Sequence, residues 1–304
     1  MLLLKALYKY SGTFPGPWRR WLIQGVALLG SLGIARAQAE TDIFLLPLQR
    51  EAGSITFGAP ENLTRNPGYD NQPAYTSDGA LLYASTRNGQ TDIARLDLET
   101  RTLTWLSDTP GGGEYSPLPM PGGDAVSAIR LDTTGLQRLY AYRDGASRLL
   151  LPDLKVGYQV WAGPDLLVCT VLVEGGMDLV VARPEIGTVI TYQKGVGRSL
   201  QRIPGTGRVS YAEVVAGGLL LKAMDPVTGA TEVLAALPEG VQDVCWLPDG
   251  SLLCGGDGVL RRWVPGPGAD WQVVRTFSPG FGNITRLAVN EAGTLLALVA
   301  ESNL

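Results

Sequence analysis

The stretch Asp70-Asn71-Gln72-Pro73-Ala74-Tyr75-Thr76-Ser77-Asp78-Gly79-Ala80-Leu81-Leu82-Tyr83-Ala84-Ser85-Thr86 decides the fold. Residues 72–76 and 80–86 read as two strands joined at Ser77-Asp78-Gly79, a tight hairpin turn. Gly ends the turn because such turns need a positive φ that branched residues resist. Downstream, residues 92–98 alternate as a third strand and 103–106 form a short fourth, with Arg87-Asn88-Gly89 and Glu99-Thr100 as the connecting turns. Residues 69–107 therefore read as one four-stranded antiparallel unit.

The unit repeats along the chain. Related turns follow at Gly122-Gly123-Asp124, Gly163-Pro164-Asp165, Gly205-Thr206-Gly207, Pro248-Asp249-Gly250 and Glu291-Ala292-Gly293. They recur roughly every 40 to 45 residues, the period of a four-stranded propeller blade. A second series, Gly68, Gly113, Gly157, Gly197, Gly240 and Gly282, keeps the same beat one strand earlier. The sixth repeat has only two strands, 284–289 and 295–300. Residues 42–48, which begin Asp-Ile like 92–98, and 55–57 supply the other two. The expected architecture is an all-β, six-bladed β-propeller of four-stranded antiparallel blades. Its last blade, 283–304 plus 41–64, is closed by N-terminal strands in a 2+2 arrangement, which removes the open sheet edges that invite aggregation.

The first 39 residues read as a secretory signal peptide. Trp18-Arg19-Arg20 is the positive flank, residues 21–34 the apolar run, and Ala37-Gln38-Ala39 a small-x-small cleavage site. That apolar run is shorter than the roughly 20 residues of a membrane span, so no stable span is expected after cleavage. Removal takes Lys5, Lys9, Arg19, Arg20 and Arg36 and no acids, so the net charge of −4 becomes −9 over residues 40–304. Such an acidic domain is a poor match for phosphate backbones, and nucleic acid is set aside as a partner. The expected location is periplasmic or secreted, and the expected state monomeric.

Three cysteines, Cys169, Cys245 and Cys254, leave at least one thiol without an internal partner. Cys245 and Cys254 flank the Asp249-Gly250 turn and are read either as a cross-hairpin pair or as small buried strand residues.

Asn62-Leu63-Thr64, residues 70–79, Ala84-Ser85-Thr86-Arg87-Asn88-Gly89 and Asp92-Ile93 together resemble the TolB-type propeller repeat of exported bacterial proteins. Family members usually carry an aromatic-Ser-Pro-Asp-Gly core. Thr76-Ser77-Asp78-Gly79 lacks the Pro, whereas Trp246-Leu247-Pro248-Asp249-Gly250 keeps it. The likeness is strong in the first blade and extends over residues 40–304 at the level of fold. TolB itself has an α/β domain ahead of its propeller, for which residues 40–304 have no room, so the chain is expected not to be TolB proper. The resemblance implies a periplasmic or secreted recognition module.

The chain contains no His. Ser-His-Asp and Cys-His catalysis and His-ligated metal sites are excluded on that ground. Asp70, Glu114 and Asp243 lie near the starts of inner strands, where a propeller can bring acids together around its channel. There they would bind Ca²⁺, do acid–base work, or simply cap turns. No other cofactor is expected. Asp78 and Asp249 read as turn formers, Asp92 and Asp178 as markers of a turn before the third strand, and Trp105, Trp161, Trp246, Trp263 and Trp271 as packing between blades.

The residues after the second glycine series form the candidate binding set: Tyr69, Asp70, Glu114, Tyr115, Tyr158, Gln159, Arg198, Gln242, Asp243 and Asn283. They enter the inner strands and are expected to ring one mouth of the channel. Aromatic, Arg and amide side chains on rigid loops suit a protein or peptide partner. The expected function is a non-catalytic scaffold for an envelope protein or peptide. The alternative is a carboxylate- or calcium-dependent enzyme acting on a sugar or lactone.

Overall fold

The computed structural model describes residues 40–51 and 53–301. The leader reading at 1–39 lies outside them. Among the described residues there is no helix, hence none long and apolar enough to cross a membrane.

Six antiparallel sheets follow one another in chain order. Blade one runs from its inner strand Asp70–Tyr75 through Leu81–Arg87 and Gln90–Leu96 to the outer Leu103–Trp105. The inner strands of blades two to six are Gly112–Pro119, Val156–Gly163, Val196–Arg202, Val244–Trp246 and Ile284–Val289. Blade six is completed as expected. Its C-terminal strand Leu295–Glu301 pairs with Thr41–Glu51, register Thr41↔Glu301 to Pro47↔Leu295, and Ser54–Phe57 lies outside that. The short Glu61–Asn62 also pairs with the N-terminal strand.

Strand alternation builds the core. Successive side chains point to opposite faces of a strand, and here both faces are covered by neighbouring blades. Leu81 and Tyr83 join Ile43, Ala297 and Val299 at the junction of blades six and one. Leu82, between them in sequence, turns the other way and joins Val126, Ala128 and Tyr142 of blade two. This two-sided burial is why the second strands read as continuous apolar runs rather than alternating ones. The tryptophans behave as expected. Trp161 packs between blades two and three and donates from Nε1 to Ser127 Oγ at 2.9 Å; Trp246 repeats the device between blades four and five with Ser210 Oγ at 2.8 Å.

The cysteine pairing is not formed. Cys254 stands opposite Val244, and Cys245 opposite Leu253. That one-residue offset sends the two thiols to opposite faces of blade five, Cys245 toward blade six and Cys254 toward blade four. All three thiols are buried and free, and burial pushes each up to about 12. The thiolate is the reactive form, so a colorimetric thiol reagent should titrate none of the three in the native protein at pH 8 and all three after denaturation.

The glycines answer two different demands, and the second series holds both, since its Gly68 and Gly240 have positive φ (119° and 78°). In the hairpin series Gly250 has φ 79°, the left-handed conformation its turn requires. Gly282 of the second series is there for closeness: a Cβ on it would lie 1.9 Å from the carbonyl oxygen of Glu301.

Candidate functional site

Five of the six inner strands carry an irregularity just past their entry. Register shifts fall between Asn71 and Ala74, Tyr115 and Leu118, Val156 and Tyr158, Val196 and Leu200, and Ile284 and Arg286. Gln72 and Ser116 hold positive φ within two of them (59° and 51°), and each is followed by a proline, which needs no ladder partner at a bulge. Bulges re-aim side chains. Here residues of several blades meet in one cluster.

Arg198 and Arg286 are its centre. Arg286 Nη1 donates to Asp243 Oδ2 at 2.6 Å, and Arg198 Nε forms an ion pair with the same oxygen at 2.6 Å. Arg198 also donates from Nη2 to the Thr285 carbonyl oxygen at 2.8 Å, tying blade four to blade six. The Arg286 guanidinium lies 5.3 Å from the centre of the Tyr158 ring. Burial works against the Arg286 charge, but Asp243 and the tyrosines outweigh it and raise its pKa. Tyr69 meets Tyr115 edge to face at 6.1 Å. Its phenol is raised well above the ordinary range, first by burial, with the two arginines pulling the other way, so Tyr69 is neutral.

The loop carrying Tyr69 is braced. Tyr69 N–H donates to Thr86 Oγ1 at 3.1 Å, and Thr86 N–H to the Tyr69 carbonyl at 3.0 Å. Thr41 of the closing strand bridges to the same loop through Gly68 O at 3.0 Å.

The structure thus gathers Tyr69, Tyr115, Tyr158, Arg198 and Asp243 from the sequence-derived set. Asp70, Glu114, Gln159 and Asn283 take other partners. Asp70 is fully buried at the junction of blades six and one, accepting from Ser85 Oγ and from Asn66 Nδ2 at 3.3 Å, while its Oδ2 has no hydrogen-bond partner. Burial raises Asp70 to about 6, against the hydrogen bonds that lower it. Glu114 is fully buried, bound by Arg130 Nε and Tyr142 Oη, both at 3.0 Å. Gln159 spends its amide on Ser116 O and Ser127 O. Asn283 accepts from Asp257 N–H at 3.0 Å and so supports the neighbouring hairpin. Gln242 stays partly exposed beside Asp243.

The expected convergence of Asp70, Glu114 and Asp243 is therefore corrected. Alternation turns the first two into blade junctions, each with its own partners, and among the described residues no group of three or more acids, Cys or His is placed to hold a metal. Asp92 also differs from its reading as a turn residue. It lies inside Gln90–Leu96, almost fully buried, holding Arg87 Nε at 2.9 Å and reaching Glu114 through Ser107 Oγ.

Arg286 is the residue that sequence reading missed. It sits four positions past Gly282, beyond the window taken after each glycine, directly after the register shift between Ile284 and Arg286. A lone charged residue in the inner strand Ile284–Val289 was the available signal.

At the far ends of the strands lies an open cavity of about 590 Å³, lined among others by Arg50, Glu51, Asp249 and Arg262. Asp249 is paired there: Arg262 donates to Asp249 Oδ2 at 3.0 Å, Ser251 Oγ at 3.0 Å and Gly53 O at 2.7 Å, and Arg50 lies 3.8 Å from the same carboxylate oxygen.

These features define a six-bladed propeller of the TolB type in fold. A structure from Agrobacterium tumefaciens assigned as TolB is similar over 88% of this chain and all of its own, with TM-score 0.66 and 12% identity. A chain of the nidogen/laminin complex matches over 86% of this chain and 98% of its own (TM-score 0.61, 14% identity). A protein assigned as a gluconolactonase matches over 84% and 97% (TM-score 0.58, 15% identity). At these identities the likeness is one of fold. No protein-family model matches the chain, and no curated protein matches it either.

Proposed function

We propose that the protein is a non-catalytic propeller scaffold that binds a protein or peptide partner in the cell envelope through the mouth lined by Tyr69, Tyr115, Tyr158, Arg198 and Arg286. The observation that supports this is the gathering of three partly exposed tyrosines and two arginines from different blades on bulged, braced backbone. Tyr and Arg are the residue types in which binding energy concentrates, and rigid presentation lowers the ordering cost of binding. The neighbours with this fold include a protein of a two-protein complex as well as an enzyme, and fold does not choose between them.

The mouth itself favours binding over catalysis. An enzyme built on carboxylates needs an acid free to take a proton or a cation. Asp243, the acid at the mouth, is held by two guanidinium groups instead. Export through the leader at 1–39 would place the scaffold in the periplasm or outside the cell.

The test is affinity capture of an envelope partner by the tagged protein. The Tyr69→Ala, Tyr158→Ala double variant is expected to lose at least roughly tenfold of the captured partner, the scale of one or more interface anchors, while melting within a few degrees of the parent. Equal capture by a folded double variant would overturn the reading.

A further inference from the structure

Resting on that reading of the mouth, we propose that the group it recognises is a carboxylate carried by a peptide. Two guanidinium groups share one acid: Arg198, Arg286 and Asp243 form a cluster of net charge +1. A singly charged anion balances that cluster. A doubly charged phosphate would leave an excess negative charge beside Asp243.

Donors remain to receive the anion. A guanidinium has five N–H donors in a planar fork that matches a carboxylate. Arg198 directs one to Thr285 O; Arg286 directs one to Asp243 and also interacts with the Tyr158 phenol. Arg198 Nε touches Asp243 without a directed hydrogen bond, and Thr285 Oγ1, next to Arg286, is buried with no hydrogen-bond partner. Arg198 Nε is thus a buried donor without a hydrogen bond, beside the acid that the two arginines share. The Arg198 side chain is 23% exposed and that of Arg286 14%, so the fork is reachable from the mouth, and Tyr69, Tyr115 and Tyr158 offer aromatic surface to the rest of a peptide.

The experiment is a titration of the ¹⁵N-arginine-labelled protein, following the Arg198 and Arg286 Nε–H signals. The probes are N-acetyl-Phe-Gly with a free carboxylate, its C-terminal amide, and N-acetyl-Glu-Phe-amide; gluconate serves as a carboxylate that is not a peptide. At least one peptide acid is expected to shift both signals and to bind at least tenfold more tightly than the uncharged amide. Preference between the two acids tells a chain-terminal from a side-chain carboxylate. Arg198→Gln should weaken acid binding at least tenfold. Asp243→Asn, which frees both guanidinium groups, should tighten it severalfold, with circular dichroism confirming that each variant is folded.

Equal binding of acid and amide, tighter binding of gluconate than of either peptide acid, or unchanged affinity in Arg198→Gln would overturn the proposal. Equal acid and amide binding together with tyrosine-dependent capture of a partner would sink the carboxylate alone. Loss of that capture dependence would sink the binding mouth itself.

Discussion

Gly282→Ala is expected to destabilise the protein by about 3 kcal/mol or more, lowering its melting temperature by roughly 10 °C. The added Cβ would lie 1.9 Å from Glu301 O, 2.8 Å from its carbonyl carbon and 3.1 Å from its amide nitrogen. All three are backbone atoms of the strand that closes the ring, and none can swing aside as a side-chain tip would. Glu301 N–H also donates to Asn283 O at 3.1 Å, so relief of the clash pulls on the pairing that seals blade six. Gly266→Ala is the control: its Cβ would meet nothing within 4 Å, and its melting temperature should stay within about 2 °C of the parent. Equal melting of the two variants by calorimetry would show that the closure tolerates displacement.

The second large effect concerns Asp70. Its carboxyl is fully buried, Oδ2 has no hydrogen-bond partner, and burial raises its pKa from 3.8 to about 6. The folded state therefore holds the proton more tightly than the unfolded state. Below pH 4 both states are protonated and the site carries no cost. From pH 4 to 6 the unfolded chain ionises while the fold resists, and stability falls. Above pH 6 the penalty is constant at roughly 2–3 kcal/mol. Asp70→Asn keeps the shape and removes the charge, and its amide oxygen can still accept from Ser85 and Asn66. The variant should be more stable than the parent by about 1–2 kcal/mol at pH 7.5, with the gain shrinking toward zero at pH 4.5. Denaturant titrations of both proteins at the two pH values give the answer. A variant less stable at pH 7.5, or a gain independent of pH, would mean that Asp70 is ionised in the fold and held by its neighbours.

The blades were legible because a propeller repeats its turn chemistry. Asp78-Gly79 and Asp249-Gly250 solve the same backbone problem in different blades, so the same residue types return at a fixed interval. The 2+2 closure was legible for a related reason: residues 42–48 carry the signature of a third strand and had no blade of their own. The site was only half legible. Tyr69, Tyr115, Tyr158 and Arg198 were found because they follow the glycines. Asp70 and Glu114 follow the same glycines yet turn into blade junctions, because the face a side chain takes depends on where each bulge falls. Register at a bulge is set by contacts across the sheet, and these leave no periodic trace in one sequence. Arg286 was lost to the same effect. The cysteine pair failed on a single residue of offset, since Val244 rather than Cys245 faces Cys254.

The seam between Thr41–Glu51 and Leu295–Glu301 joins strands some 250 residues apart along the chain. Every other strand in the ring pairs with a close neighbour in sequence. A polypeptide emerging from its start is consequently an arc with two bare flanks until its final hairpin arrives. The last contact made is the one with the greatest loop-closure entropy. Without residues 295–301 the N-terminal strand Thr41–Glu51 keeps a bare edge, so the same pairing that closes the ring also hides an adhesive rim.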